Sequence, residues 1–482
     1  MWHQFFRYSS ALAAFAAFGA AGCLLPDYVE AEGVCEPGAQ WVRSFGGVLT
    51  DTVKAASSDV CGGVTVGGSF QTFLRFGDEA PLEAKDEADG YVARFDAAGN
   101  TVWVTQISGD GAQYVSSLTT DIFGGAIAAG ELLGSMSVAG ADPVTLPDGQ
   151  QAAFVTRFDL RGAHHWTRIL RETTGMRSTA VCGVAADSSG NVTVAGDFRG
   201  SVDFGGQTRT GDFDDNIFVA HYDSDGNLVW VNSYQTPRGI YCNDIAVDNE
   251  GNILVTGSYG SAINFGGGEH EGPGEMEAGQ LRFFVLKLNS VGDRVWSQGT
   301  NDVNQQEGFA IAADEGGNVI VAGVFRDKVP LGGTLVSSNG GGDIFIKKLD
   351  PLGTSLWGVT FGGASEDTVG GLAIGPSGQV VIHGETPGTI AFDQDLSAQV
   401  TDPPTVDPFL ATLDGFDGKP LSSRMFHGPG DEYVTAVALD PEGFPLVAGT
   451  FGMFIDLGIP SGQLSESDMN MTDDFFVAKL KP

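Results

Sequence analysis

The sequence predicts an all-β fold assembled from one unit repeated seven times, and three observations carry that expectation. Tryptophan recurs at Trp41, Trp103, Trp166, Trp230, Trp296 and Trp357, with gaps of 62, 63, 64, 66 and 61 residues, and a seventh copy follows with Met425 near the tryptophan place. Self-similarity at a fixed period signals an array of one supersecondary unit. Around each beat stand three further segments of alternating or β-rich apolar residues, and 71 glycines among 482 residues argue against long helices.

The copy between Trp166 and Trp230 serves as the template. There AVCGVAAD, NVTVAGDF, NIFVAHYD and LVWVNSY read as four short strands, a to d. The a-to-b link begins at Asp187 and contains Gly190; the c-to-d link begins at Asp223 and contains Gly226. An Asp side chain bonds its own backbone two residues on and glycine accepts a positive φ, so both links are tight turns and the strands form an antiparallel meander. Seven such meanders, each burying apolar faces against its neighbours, fit a seven-bladed β-propeller of four-stranded antiparallel blades. Trp41 opens a lone d strand with no a, b or c before it, whereas the last copy supplies a, b and c and the sequence stops at Pro482 without a d. The N-terminal strand is therefore expected to pair in the last blade and close the ring, leaving no sheet edge open there.

The c strands align without gaps from Tyr91, Phe154, Phe218, Phe284, Phe345, Phe409 and Phe476, usually with a basic residue at the fourth place. An aromatic at fixed phase in every copy is a core position. Phe45-Gly46-Gly47 and Phe361-Gly362-Gly363 after the tryptophan strand, Asp187 to Gly196, Val202 to Gly206 and Asp343 to Gly353 carry a resemblance that covers nearly everything after residue 40. In these motifs the chain resembles the family called seven-bladed beta-propeller repeat proteins. The resemblance implies the fold and an exported or surface-anchored bacterial setting, and no particular chemistry.

Residues 1–22 carry Arg7 in a short polar head, then ALAAFAAFGA, then Ala20-Ala21-Gly22 directly before Cys23. The apolar core is too short to span a bilayer and reads as an export signal. Small residues before a cysteine resemble a bacterial lipobox, with Ala20 where Leu is usual; the resemblance implies cleavage before Cys23, its acylation, and an outer-membrane or cell-surface lipoprotein. Plain secretion without acylation is the alternative. Residues 23–40, with Asp27, Glu30, Glu32 and Glu36, read as an acidic tether, and 41–482 as a single propeller domain. Extended, the tether reaches roughly 60 Å at about 3.5 Å per residue.

Strand order puts the a-to-b and c-to-d turns on one face and the b-to-c and d-to-a loops on the other. The seven b-to-c loops, taken as 78–89, 139–151, 205–216, 266–280, 332–343, 393–407 and 458–474, hold 24 Asp or Glu against two basic residues, which is −22 of the chain's net −36. Such a field repels nucleic acid and attracts cations or basic partners. The densest clusters include Asp86, Glu87 and Asp89; Asp212, Asp214 and Asp215; and Asp468, Asp473 and Asp474. Grouped carboxylates could take Ca²⁺; the alternative is a solvated, aggregation-resistant surface. Asp51, Asp367 and Glu432, before their a strands, are expected to ring the channel mouth and collect a cation or polar ligand, or else to cap the loop backbone.

Four cysteines remain after Cys23, an even number in an exported chain, which favours disulfides. Cys35 and Cys61 fall on one face of adjacent blades and are expected to pair. Cys182 and Cys242 sit at opposite parity in neighbouring a strands, as facing walls require. No GxSxG, HExxH or Cys/His metal spacing occurs, so the chain reads as a binding or scaffold module without a cofactor. Its expected partner is a protein, glycan or small molecule of unknown identity. A quinoprotein-like, lyase-like or lactonase-like propeller enzyme, or an outer-membrane assembly-factor-like lipoprotein, is the competing reading; Asp96 to Trp103 and Asp350 to Trp357 resemble quinoprotein docking text, one residue short.

Overall fold

The computed structural model describes residues 40–481, apart from 48, 78–79, 148–149, 175–178, 212–214, 238, 271–279, 300–304, 393–396, 400–405, 429–431, 459–462 and 466–473. Cys23 and Cys35, with the expected signal and most of the tether, lie outside the described residues. Every regular element among the described residues is a β-strand. None of them is a helix long and apolar enough to cross a membrane.

The arrangement is a propeller of small antiparallel sheets. The third copy is Thr179–Ala186, Val192–Phe198, Asn216–Tyr222 and Leu228–Tyr234, paired in that order. The fourth copy runs from Ile240 to Gly299, the fifth from Gln306 to Phe361 and the sixth from Thr368 to Met425, with the same order. The seventh combines Tyr433–Leu439, Pro445–Phe451 and Asp474–Lys479 with Trp41–Phe45, whose residues lie opposite Lys479 to Phe475. Separate four-stranded sheets therefore number five, not seven. The first copy (Asp51–Ser58, Val64–Phe70, Asp89–Phe95, Thr101–Ser108) and the second (Gly111–Thr120, Ala126–Val138, Gln151–Phe158, His164–Glu172) belong to one eleven-stranded sheet. The physical reason is length: the second b strand runs on to Val138, and its far end pairs Val138 with Ile107 and Ser137 with Ser108 of the first copy.

The a strands form a closed circuit, each touching the a strands before and after it, with the seventh touching the first. Every a strand carries a bulge at the same place, at Lys54, Ser116, Cys182, Asn243, Phe309, Gly370 and Thr435. A bulge strengthens local twist, which suits strands that converge on an axis.

Two fasteners join neighbouring copies on the tight-turn face. In the first, each tryptophan indole donates to a carbonyl in the next copy's c-to-d turn: Trp41 to Ala97 (3.0 Å), Trp103 to Leu160 (3.0 Å), Trp166 to Ser224 (2.9 Å), Trp230 to Ser290 (2.9 Å), Trp296 to Pro351 (2.9 Å) and Trp357 to Gly415 (3.2 Å). The ring lies against the turn glycine. At Gly226, with φ +76°, an added Cβ would stand 2.6 Å from Trp166 Cδ2. In the second, the basic residue at the fourth c place pairs with the Asp that opens the a-to-b turn of its own copy: Arg94–Asp59 (2.7 Å), Arg157–Asp121 (2.6 Å), Lys287–Asp248 (2.8 Å), Lys348–Asp314 (2.7 Å) and Lys479–Asp440 (2.5 Å). Arg157 also reaches Gly190 O and Ser224 O of the third copy, so the pair ties one blade to the next.

The sixth copy receives the Trp357 indole on its own turn but has neither an indole nor a turn ion pair of its own. Register puts Ser422, not Met425, at the tryptophan place, opposite Thr412, which stands where the other copies have a base; Gly375 replaces the turn Asp. Its neighbour, the seventh copy, takes its d strand from the other end of the chain and so has no c-to-d turn to receive an indole. The indole is thus missing where its acceptor is missing.

Candidate functional site

On the opposite face the b-to-c segments are not simply irregular. Most fold into short two-stranded hairpins, such as Phe73–Leu74 with Leu82–Glu83, Ser201–Asp203 with Thr208–Thr210, and Lys328–Leu331 with Thr334–Ser337. Each buries an apolar residue, among them Phe76, Phe204, Phe265 and Phe392, and several reach back to the preceding copy's d strand: Phe45 to Phe76 at 4.9 Å, Tyr234 to Phe265 at 5.2 Å, Phe361 to Phe392 at 5.3 Å between centroids. The VDFGG text thus encodes a fastener for the loop face.

The acidic residues expected to ring the channel mouth are buried. Asp51, Asp367 and Glu432 stand at the heads of a strands with no exposed surface. Asp51 Oδ1 accepts from Gln71 N (3.3 Å), and Asp367 Oδ2 from Gly363 N (2.6 Å). Burial raises the Asp367 carboxyl above its ordinary range, with Asp343 and Glu366 adding to the rise. The FGG text follows from this: an added Cβ at Gly362 would sit 2.3 Å from Asp343 Cγ. The d-to-a loop passes between the carboxylate that opens the c strand of one copy and the one that opens the a strand of the next.

The acidic clusters are similarly engaged with their own backbone. Asp89 and Asp474 are the first residues of c strands and are buried; Asp89 Oδ2 accepts from Lys85 N (3.3 Å) and Gln106 Nε2 (2.5 Å). Asp86 Oδ2 accepts from Gly111 N (3.0 Å), and the Glu87 amide donates to Gly111 O (3.1 Å). Asp215 holds Arg199 in a bidentate pair at 2.6 and 2.7 Å. Asp212, Asp214, Asp468 and Asp473 lie outside the described residues. Among the described residues no three His, Cys, Asp or Glu side chains converge as a metal site.

Accessible chemistry sits one residue further along each a strand. The second places are Thr52, Tyr114, Ala180, Tyr241, Glu307, Thr368 and Tyr433, and all are exposed or half-buried where the first and third places are largely buried. Opposite them on the b strands lie Glu131 (facing Tyr114), Asp197 (facing Ala180) and Glu385 (facing Thr368). Two of these carboxylates serve the next copy's bulge: Glu131 accepts from Val181 N (2.7 Å) and Asp197 from Cys242 N (3.0 Å). Asp244 does the same for Ile311 N (2.8 Å). Desolvation pushes Asp197 and Asp244 each up to about 7, and raises Glu131 and Glu385. Glu307 and the three tyrosines are the large polar side chains at these places, each exposed or half-buried. The phase of the a-strand alternation could have revealed them in the sequence.

Cys182 and Cys242 form a disulfide, with Cα atoms 5.7 Å apart, joining the a strands of the third and fourth copies. Cys61 is disulfide-bonded, and the partner expected for it, Cys35, is outside the described residues.

Residues 236–258 match the family model described as a beta-propeller repeat. The chain is 23% identical over 419 residues to the regulatory protein FlaEY of Caulobacter vibrioides, covering 80% of this chain and 40% of that protein. It is 21% identical over 444 residues to an uncharacterized WD repeat-containing protein, L264, of Acanthamoeba polyphaga mimivirus, covering 75% of this chain and 31% of that one. The chain thus spans less than half the length of each relative. Among solved structures, Sqt1 from Chaetomium thermophilum is similar at 12% identity with a TM-score of 0.41, over 92% of this chain and all of that one. A protein of unknown function from Bacteroides caccae is similar at 15% identity and a TM-score of 0.30, over 52% and 70%. Residues 236–258 thus match one repeat of that kind, within a circuit of small antiparallel sheets arranged as a propeller.

Proposed function

We propose that this protein is an exported, lipid-anchored surface propeller of seven blades that acts as a binding or scaffold module through its loop-bearing face. Counting seven is supported inside the eleven-stranded sheet, where both four-stranded runs have their own bulged a strand, buried ion pair and tryptophan. The observation that carries the binding reading is the contrast between faces. Turn carbonyls and basic side chains of the tight-turn face are largely committed to fasteners, whereas Tyr114, Tyr241, Tyr433 and Glu307 stand at equivalent, exposed or half-buried places near the loop-face ends of the a strands. Tyrosines with an apolar body and a polar tip, beside carboxylates, suit a glycan, a basic peptide or a polar small molecule. The reading is non-catalytic and uses no cofactor. Rigid sheets displaying varied loops are a common binding design.

Pull-down from native lysate with the full chain and with Tyr114→Ala/Tyr433→Ala, each with and without Ca²⁺, tests it. The reading predicts a ligand or partner lost with the double variant. Equal capture by both proteins would contradict it.

A further inference from the structure

The c-to-d turn tips of the fourth, fifth and sixth copies are Val291, Leu352 and Phe416, and they are 65%, 80% and 89% exposed. The same place in the first three copies holds Ala98, Arg161 and Asp225. Just before each tryptophan place, the d strand bulges and turns out a second residue; in the fourth to sixth copies these are Val295, Leu356 and Leu421, all exposed. The fasteners make these residues neighbours. Val295 precedes Trp296, whose indole is docked on the turn that carries Leu352, and Leu356 precedes Trp357, docked on the turn that carries Phe416. Val229, exposed before Trp230, likewise adjoins the turn that carries Val291, so one apolar stripe runs from the third copy to the sixth of an otherwise acidic molecule, and exposed stripes of that kind mark interaction surfaces.

We infer that this stripe rests on a phospholipid bilayer, an inference that builds on the lipid-anchor reading. The first argument is where the chain enters. Residues 1–39 precede Gln40, and Trp41 begins its strand on this same tight-turn face, in the seventh copy, beside the sixth. The stripe thus lies next to the point from which a tether to Cys23 departs. The second argument is form. Single aliphatic and aromatic side chains carried on hydrogen-bonded turns can enter the headgroup boundary while the turn backbone stays wet, as interfacial anchors do. Asp350, Asp414 and Asp417 flank the stripe, so attraction to anionic lipid is not the driving force, and zwitterionic vesicles are the matching surface.

The test is hydroxyl-radical footprinting of the full acylated chain on phosphatidylcholine vesicles, compared with full-length Cys23→Ala protein in buffer. Oxidation of Phe416 and Leu352 is expected to fall at least about fivefold on vesicles, with Tyr433 on the opposite face unchanged. Unchanged oxidation of Phe416 and Leu352, or protection of Tyr433 in their place, overturns the inference. Protection of Phe416 that rises with protein concentration and needs no vesicles overturns it in favour of self-association. A chain that carries no acyl group removes the anchor reading but not this one. In that case flotation of Cys23→Ala protein with the same vesicles decides: loss by at least about threefold on adding Phe416→Ser and Leu352→Ser supports the stripe, and no loss overturns it.

Discussion

The indole fasteners make a quantitative prediction at Trp166 and Gly226. The Trp166 ring is buried, its Nε1 donates to Ser224 O at 2.9 Å, and the Arg168 guanidinium lies 5.6 Å from the ring centroid. Trp166→Phe keeps most of the apolar contact and loses the hydrogen bond, a cost of about 1 kcal/mol; Trp166→Ala also leaves a cavity and costs roughly 3–5 kcal/mol. Gly226→Ala carries two penalties. One is its φ of +76°, about 1–2 kcal/mol for a residue with a Cβ, and the other is the collision of that Cβ with Cδ2 at 2.6 Å. Only the first penalty survives once the indole is gone. The double variant Trp166→Ala/Gly226→Ala should therefore be more stable than the sum of the singles by about 1–3 kcal/mol, the range for residues in contact. Urea unfolding followed by far-UV circular dichroism reads all four proteins. Additivity within about 0.5 kcal/mol would refute the docking of indole on turn glycine.

Other consequences follow from the same geometry. Asp248→Asn or Lys287→Met alone strands a buried partner and should cost about 3–5 kcal/mol, while the double variant recovers much of the loss, as read from urea midpoints. The Cys182–Cys242 bond spans 60 residues, and its removal by the double Ala variant should lower stability by about 4 kcal/mol in the chain-entropy treatment. The folded carboxyls of Asp197 and Asp244, raised to about 7, bind protons more tightly than in the unfolded chain. Their share of stability is full at low pH and is lost as pH rises through about 7, by up to about 4 kcal/mol per group. Asp248 and Asp314, held low by hydrogen bonds and charge from Lys287 and Lys348 despite burial, act in reverse, with stability lost as pH falls below the carboxylate range. Asp197→Asn/Asp244→Asn should flatten the melting profile between pH 4 and 7 and leave the acid limb in place.

Much of this architecture was legible because it is written in local chemistry. The a-to-b turn beginning at Asp187 forms as its residue types dictate, with Asp187 Oδ1 accepting from Ser189 N (2.8 Å) and Asn191 N (2.9 Å). The c-to-d turn at Asp223 does the same with Asp225 and Asn227, and the Asn227 side-chain amide, with these backbone bonds, holds the Asp223 carboxyl low. The lone Trp41 segment announced its own partner, because a d strand without its meander must pair somewhere. Direction was less legible. Asp51 and Thr52 differ by one place, yet one is buried under its loop and the other is only half-buried, and composition carries no such phase. The bulge in each a strand shifts that phase again at Lys54 and its equivalents. The place that lacks a tryptophan is hidden for a related reason: distance along the chain suggests Met425, while cross-strand register selects Ser422. A net charge summed over the b-to-c segments could not reveal that Asp89, Asp343, Asp407 and Asp474 turn inward at the heads of strands.

Hydrogen exchange of the Trp41–Phe45 peptide, compared with the Asp474–Lys479 peptide in the intact protein, tests most directly whether the ring is closed by chain ends that pair. Closure predicts that both peptides exchange slowly and become labile together as denaturant is raised, because each supplies the other's hydrogen bonds. Rapid exchange of Trp41–Phe45 while Asp474–Lys479 stays protected would contradict the closed circuit and the placement of both faces that depends on it.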